Sequence, residues 1–273
     1  MYVRTRDGLE QGQATWSAFL AEYSGFRSAE DRIYEDGFEA VLAVLAGASP
    51  WQEYIRENLR VARENLPRRP FRIVSSKEFA QTMEALDRGG DIAHIPGVTD
   101  KRTGIITMLE FFGVNSHATF LGAALHETVH LVSHPAGRGR QQHSTAWPIL
   151  GEGLLEGLVE CITRDILSAQ GIALARPDWR GHQQRVPVAR ELLRNLSVPL
   201  LARVLFAGDF QQFLMVMNHT YSPAGWTEIK RLTTANNPAR AIQRMNELRA
   251  LEEQRHIEEL KRRFSQIPRR APA

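Results

Sequence analysis

Hydrophobic positions along the chain recur mainly at helical spacing. Trp51, Ile55, Leu59, Ala62 and Leu66 share one face of a segment that closes a helical region over residues 13–66. PRRP at 67–70 ends it, since two prolines disfavour helix there. It marks the expected boundary between a helical N-terminal extension, 1–66, and a domain over 70–235. The period then shortens to that of a strand in FRIVS. It returns to helix in SSKEFAQTMEALDRGG, opened by a capping box of Ser75 with Glu78, closing near Gly89 and carrying Phe79, Met83 and Leu86 on one face. DIAHIPGV and GIITML flank the polar TDKR and predict a β-hairpin. From about Ser116 onward the signals are helical, over 119–133, 151–169, 186–195, 198–206, 209–217 and 238–264. The last belongs to a charged C-terminal helix and tail, 236–273, with Glu258/Arg262 and Glu259/Arg263 at the supportive i,i+4 spacing. A small sheet in a mostly helical chain reads as α+β.

Composition narrows the function classes. A chain of 273 residues can bury a substantial core, and 43% hydrophobic with 24% charged residues is the make-up of a folded globular protein. The net charge is only +3 and the basic residues are interspersed with acidic ones, which gives no nucleic-acid or membrane-surface footprint. Cys161 is the single cysteine, so neither an intrachain disulfide nor a thiolate metal cluster can form, and any metal site must use His, Asp and Glu. Cys161 falls with Leu154, Leu158 and Ile162 and reads as a small buried hydrophobe. MYVRTRDGLEQGQ holds no continuous apolar core and no run approaches the ~20 residues of a membrane span, so synthesis as a soluble cytoplasmic protein is expected. Export by a route that reads no N-terminal signal stays open. Residues 1–66 could act as a cover, as a docking module for a regulatory partner, or as a signal for a secretion machinery.

The chemistry concentrates in LHETVHLVSH. On a helix His126 and His130 lie one turn apart on the same face, so both imidazoles can converge on one cation while Glu127 projects beside it. Leu121, Leu125, Val129 and Val132 form a separate apolar stripe that would anchor the helix. The five-residue pattern also arises in ordinary buried helices, and a third ligand decides between the two meanings. Gly at 133 and His at 136 would extend the motif to that of the metzincins, but the chain has Ser133 and Ala136. His134, one turn beyond His130, reads as a helix-end residue. Further on, GEGLLEGLVE carries Glu152, Glu156 and Glu160 at four-residue spacing, either a solvated face or a ligand-bearing one.

With its HExxH helix and downstream EGLxE helix the chain resembles zincin metallopeptidases of the gluzincin type, and more loosely, over roughly 70–220, bacterial and phage zincin-like proteins with EGLTEYLTR and AYFxGD segments. The resemblance implies an α+β zincin-like domain holding Zn2+ through His126, His130 and Glu152, with Glu156 bonded to the outer nitrogen of His126. It implies hydrolysis of a peptide or protein substrate with Glu127 as general base, and an oxyanion donor for which His182 and Tyr221, with His219, are the candidates. It also implies a substrate extended along the edge strand of the small sheet, though which hairpin strand is the edge is not legible. A protein-targeting effector or toxin protease fits this pattern, as does a stress-response protease, although no helix-turn-helix accompanies it. The different-class alternative is a zincin fold that binds a regulatory partner without turnover.

Overall fold

The computed structural model describes residues 50–56, 58, 71–86, 97–100, 103–109, 117–133, 146–169, 171 and 180–265. Its elements are β1 (Phe71–Val74), α1 (Ser76–Ala85), β2 (Gly97–Asp100), β3 (Ile105–Leu109), α2 (His117–Ser133), α3 (Ala146–Leu150), α4 (Glu152–Ala169), α5 (Arg180–Asn195), α6 (Val198–Ala202) with a π-turn over Arg203–Ala207, α7 (Gln211–Thr234) and α8 (Pro238–Ser265). The fold class is α+β. Most of the helical region expected over 13–66 lies outside the described residues, as do His94, His134 and His143.

The sheet has the order β1-β3-β2, with β1 parallel and β2 antiparallel to β3. Among the described strands β2 is therefore an edge, the point the sequence leaves open. Side chains alternate across a strand, so the residues sort into two faces. Ile73, Ile106 and Met108 join the main core, whereas Val74 and Val98 pack with Phe79 and Met83 of α1 in a smaller one. The capping box forms as expected, Ser75 Oγ accepting from the Glu78 amide and the Glu78 carboxylate accepting from the Ser75 amide. The helix it opens stops at Ala85, short of Gly89.

The hairpin also differs in one respect. Thr99 and Asp100, expected in the turn, are strand residues paired with Ile106 and Ile105. The reversal comes after them, where Thr103 Oγ1 donates to Asp100 Oδ2 at 2.8 Å and Gly104 adopts a φ of +73°, a left-handed conformation open to glycine at no steric cost.

The main core surrounds α4. Leu154, Leu155, Leu158, Val159, Cys161, Ile162, Ile166 and Leu167 are all buried, so the helix is apolar on almost every side. Two glycines let neighbours come close. A Cβ on Gly153 would lie 2.6 Å from the backbone of Thr233 and Thr234 in α7, and one on Gly157 would lie 2.8 Å from the Arg185 carbonyl oxygen in α5. Both glycines cost helix propensity, roughly 1 kcal/mol each relative to alanine, which the close helix approach offsets.

Part of the region before PRRP belongs to this same core. Trp51 and Ile55 are fully buried, and the indole of Trp51 donates to Asp165 Oδ2 at 3.3 Å. The Asn58 amide donates to the Val132 carbonyl at 2.8 Å and to the Phe206 carbonyl at 2.7 Å. It thereby satisfies one of the carbonyls that the end of α2 leaves without a helical partner. In α8, Ala241 and Met245 are buried in the core, and the expected Glu259/Arg263 ion pair forms, while Glu258 pairs with Lys261 at 2.8 Å. Helix α7 runs on through the NHTYSPAG segment with a kink at Ser222, whose φ is +60° before Pro223. No helix among the described residues is long and apolar enough to cross a membrane.

Candidate metal centre

Helix α2 carries the two histidines into the interior because its other face is the apolar one. Leu125, Val129 and Val132 are fully buried, and His126 and His130 are themselves only 3% and 4% exposed. Their rings sit edge to face with centroids 4.9 Å apart, and their Nε2 atoms approach to 3.2 Å. Helix α4 packs against α2 and brings one carboxylate to both. Glu156 Oε2 is 3.2 Å from His126 Nε2 and 3.0 Å from His130 Nε2. His126, His130 and Glu156 are the group among the described residues that could hold a metal ion.

The three donors suit a small divalent cation. Zinc bonds of ~2.0–2.1 Å arranged tetrahedrally require ligand atoms roughly 3.3 Å apart, close to the observed 3.0 to 3.2 Å. Two imidazole nitrogens facing each other at 3.2 Å also repel unless a proton or a cation lies between them.

Behind this group stands Glu160. Its Oε2 is 3.2 Å from His126 Nδ1, and its Oε1 accepts from Arg164 Nε at 2.7 Å. Such a carboxylate fixes the tautomer and orientation of the ring. Among the described residues His130 has no equivalent anchor, its buried Nδ1 having no hydrogen-bond partner there.

The charges reinforce one another. Burial alone would lower the His126 pKa, but the hydrogen bonds and charges of Glu156 and Glu160 reverse this and raise it to about 10. Burial would likewise raise Glu156, yet the charge of His130 and the hydrogen bonds to both histidines hold its carboxyl well below the usual range. Glu160 is lowered as well, His126 and Arg164 outweighing its desolvation.

The sequence-expected residues fare differently. His126, His130 and Glu127 lie together as expected. Glu152, the implied third ligand, is exposed at the first position of α4 and outside the group. Glu156, expected at the outer nitrogen of His126, instead meets the inner nitrogens of both histidines, and Glu160, one helical turn on, meets the outer one. Tyr221 is buried, stacked on Trp226 with centroids 6.2 Å apart, and its hydroxyl has no hydrogen-bond partner among the described residues. Burial pushes that phenol up to about 12, and it hydrogen-bonds none of the metal-group residues. His219 is exposed and faces Glu252 at 3.7 Å. His182 falls in α5, with its side chain outside the described residues. Cys161 is a buried free thiol, pushed up to about 12 by desolvation.

Glu127, half-buried, sits beside the edge strand, and Thr99 Oγ1 of β2 donates to its Oε2 at 2.7 Å. Sequence reading misses Thr99 by placing it in the hairpin turn. Strand alternation is the signal that could have found it, because the face opposite Val98 is the one that looks onto α2. Comparisons with protein-family models, with curated proteins and with solved structures return no match.

Proposed function

We propose that the protein is a zinc-dependent metallopeptidase with a zincin-like fold, in which His126, His130 and Glu156 hold the metal and Glu127 is the general base. The observation that carries this reading is the convergence of two imidazole nitrogens and one carboxylate oxygen beside a glutamate that is not itself in the group. A purely structural site would have no use for that extra carboxylate. The small mixed sheet lying over the HExxH helix, with β2 at its edge, also supports the zincin assignment.

A zinc ion held by His126, His130 and Glu156 would supply Lewis acidity and make a water nucleophilic near neutral pH. Glu127 accepts a proton from the attacking water on a carboxylate oxygen and returns it to the departing amine as the C–N bond breaks. Glu160 holds His126 through Nδ1, so the Nε2 lone pair stays directed at the metal. The substrate is an extended peptide that pairs along the side of β2 that no described strand occupies.

The test measures metal content together with cleavage of a diverse peptide mixture, for wild type and Glu127→Gln. The reading expects about one zinc per chain in both proteins and cleavage only by wild type. A wild type that binds zinc yet cleaves nothing gives way to the partner-binding alternative, and a wild type that binds no metal removes the site altogether.

A further inference from the structure

Strand β2 touches Glu127 at two positions, and both face α2. Gly97 and Thr99 are two residues apart and so share a face, the one on which their cross-strand partners Met108 and Ile106 enter the main core. At Gly97 the contact depends on a missing side chain. A Cβ there would lie 2.5 Å from Met108 Sδ, near the end of a flexible side chain, and 3.0 Å from Glu127 Cγ, so glycine lets the strand come this close to the glutamate stem without displacing either. At Thr99 the contact is a hydrogen bond at the tip.

The Thr99 hydroxyl has one proton and two acceptors in reach, Glu127 Oε2 at 2.7 Å and the Glu127 backbone carbonyl at 3.0 Å. That carbonyl lies in mid-helix, where the helical ladder already engages it. The carboxylate is both nearer and charged, so it takes the proton. Thr99 is only 4% exposed, which keeps water from competing, and a β-branched side chain has few rotamers in which to lose the contact.

We propose that β2 is a positioning strand for the general base: Gly97 sets the distance to the Glu127 stem, and Thr99 engages Oε2 so that Oε1 is the oxygen that takes the proton. The inference rests on Glu127 being the base. Thr99 is a positioning residue, since it acts on the reacting groups only through Glu127. It also ties specificity to chemistry, because the edge on which a peptide would lie is the strand that aims the carboxylate.

Thr99→Val keeps shape and removes the donor, and Thr99→Ser keeps the donor. With one hydrogen bond to a charged group at stake, Thr99→Val is expected to lower kcat by about 10- to 100-fold with KM within about twofold. Thr99→Ser should recover most of the loss, and all three proteins should carry equal zinc. Affinity of the zinc-loaded proteins for acetohydroxamate, whose acidic proton needs a correctly placed acceptor, gives a readout independent of turnover and should weaken about tenfold in Thr99→Val. An unchanged kcat in Thr99→Val, a loss that serine does not rescue, or a loss that follows zinc content overturns the proposal. If wild type cleaves no peptide, the peptidase reading fails by itself. The hydroxamate series then decides whether β2 positions Glu127, and equal affinities for wild type and Thr99→Val refute it.

Discussion

Replacing Glu156 and Glu152 separately by alanine tests which turn of α4 faces the histidines. Glu160 gives the lower bound for the effect. Of the two histidines it meets only His126, at the outer nitrogen and 3.2 Å away, and losing an outer contact of that kind costs about 10–100-fold in metal affinity. Glu156 Oε2 reaches the inner nitrogens of both histidines, at 3.2 and 3.0 Å, so its removal leaves two donors of three. Glu156→Ala should therefore exceed about 100-fold, or more than about 2.7 kcal/mol. Glu152 is exposed and outside the group, so Glu152→Ala should stay within about ±0.5 kcal/mol of wild type, close to a twofold change in affinity. Competition for zinc against a chromophoric chelator at fixed pH measures both variants and wild type on one scale. A Glu152→Ala protein that loses zinc while Glu156→Ala keeps it would show that α4 sits one turn away from where the structure places it.

Three further outcomes follow from the same contacts. With no cation bound, His126 has a pKa raised from its ordinary 6.5 to about 10, so its contribution to stability is full below 6.5 and is lost as pH rises through 10. Glu156 and Glu160, both lowered from 4.5, contribute above that value and lose the contribution as pH falls. The Tm of chelator-treated protein should accordingly be highest between about pH 4.5 and 6.5, and zinc binding at pH 7 should release a proton, seen calorimetrically as a dependence on buffer ionisation heat. A Tm that climbs steadily to pH 9, or a heat independent of buffer, contradicts the ion-pair arrangement. Gly157→Ala sets a Cβ 2.8 Å from the Arg185 carbonyl; overpacking of about 1–3 kcal/mol should exceed the helix-propensity gain of about 1 kcal/mol and lower the urea midpoint. Asn58→Leu strips buried partners from the Val132 and Phe206 carbonyls, and a loss of roughly 2–4 kcal/mol in chemical denaturation is expected at about 1–2 kcal/mol per bond. An Asn58→Leu protein as stable as wild type would mean that these carbonyls find other partners.

The sequence determines much of this protein through local rules. A capping serine, an apolar stripe of period 3.6 and two histidines one turn apart are complete within a few residues of chain, and each appears in the structure where its pattern puts it. Long-range features were less legible. Thr99 and Asp100 are polar and precede Lys101 and Arg102, so composition placed them in a turn, while the pairing partners that make them a strand lie on β3. The contacts of Trp51 and Asn58 are similarly hidden, because their partners Asp165, Val132 and Phe206 are far along the chain. The sharpest case is the carboxylate that joins the two histidines. Glu152, Glu156 and Glu160 repeat every four residues, so all three project from nearly one side of α4, and periodicity assigns them the same face without ranking them. Which one meets His126 and His130 depends on how far α4 is displaced along its own axis against α2. That displacement is set by contacts elsewhere, among them the close approaches of α7 at Gly153 and α5 at Gly157. A shift of one turn, about 5.4 Å, would exchange a buried carboxylate beside the histidines for an exposed one, and a quantity of that kind exists only in the packed structure.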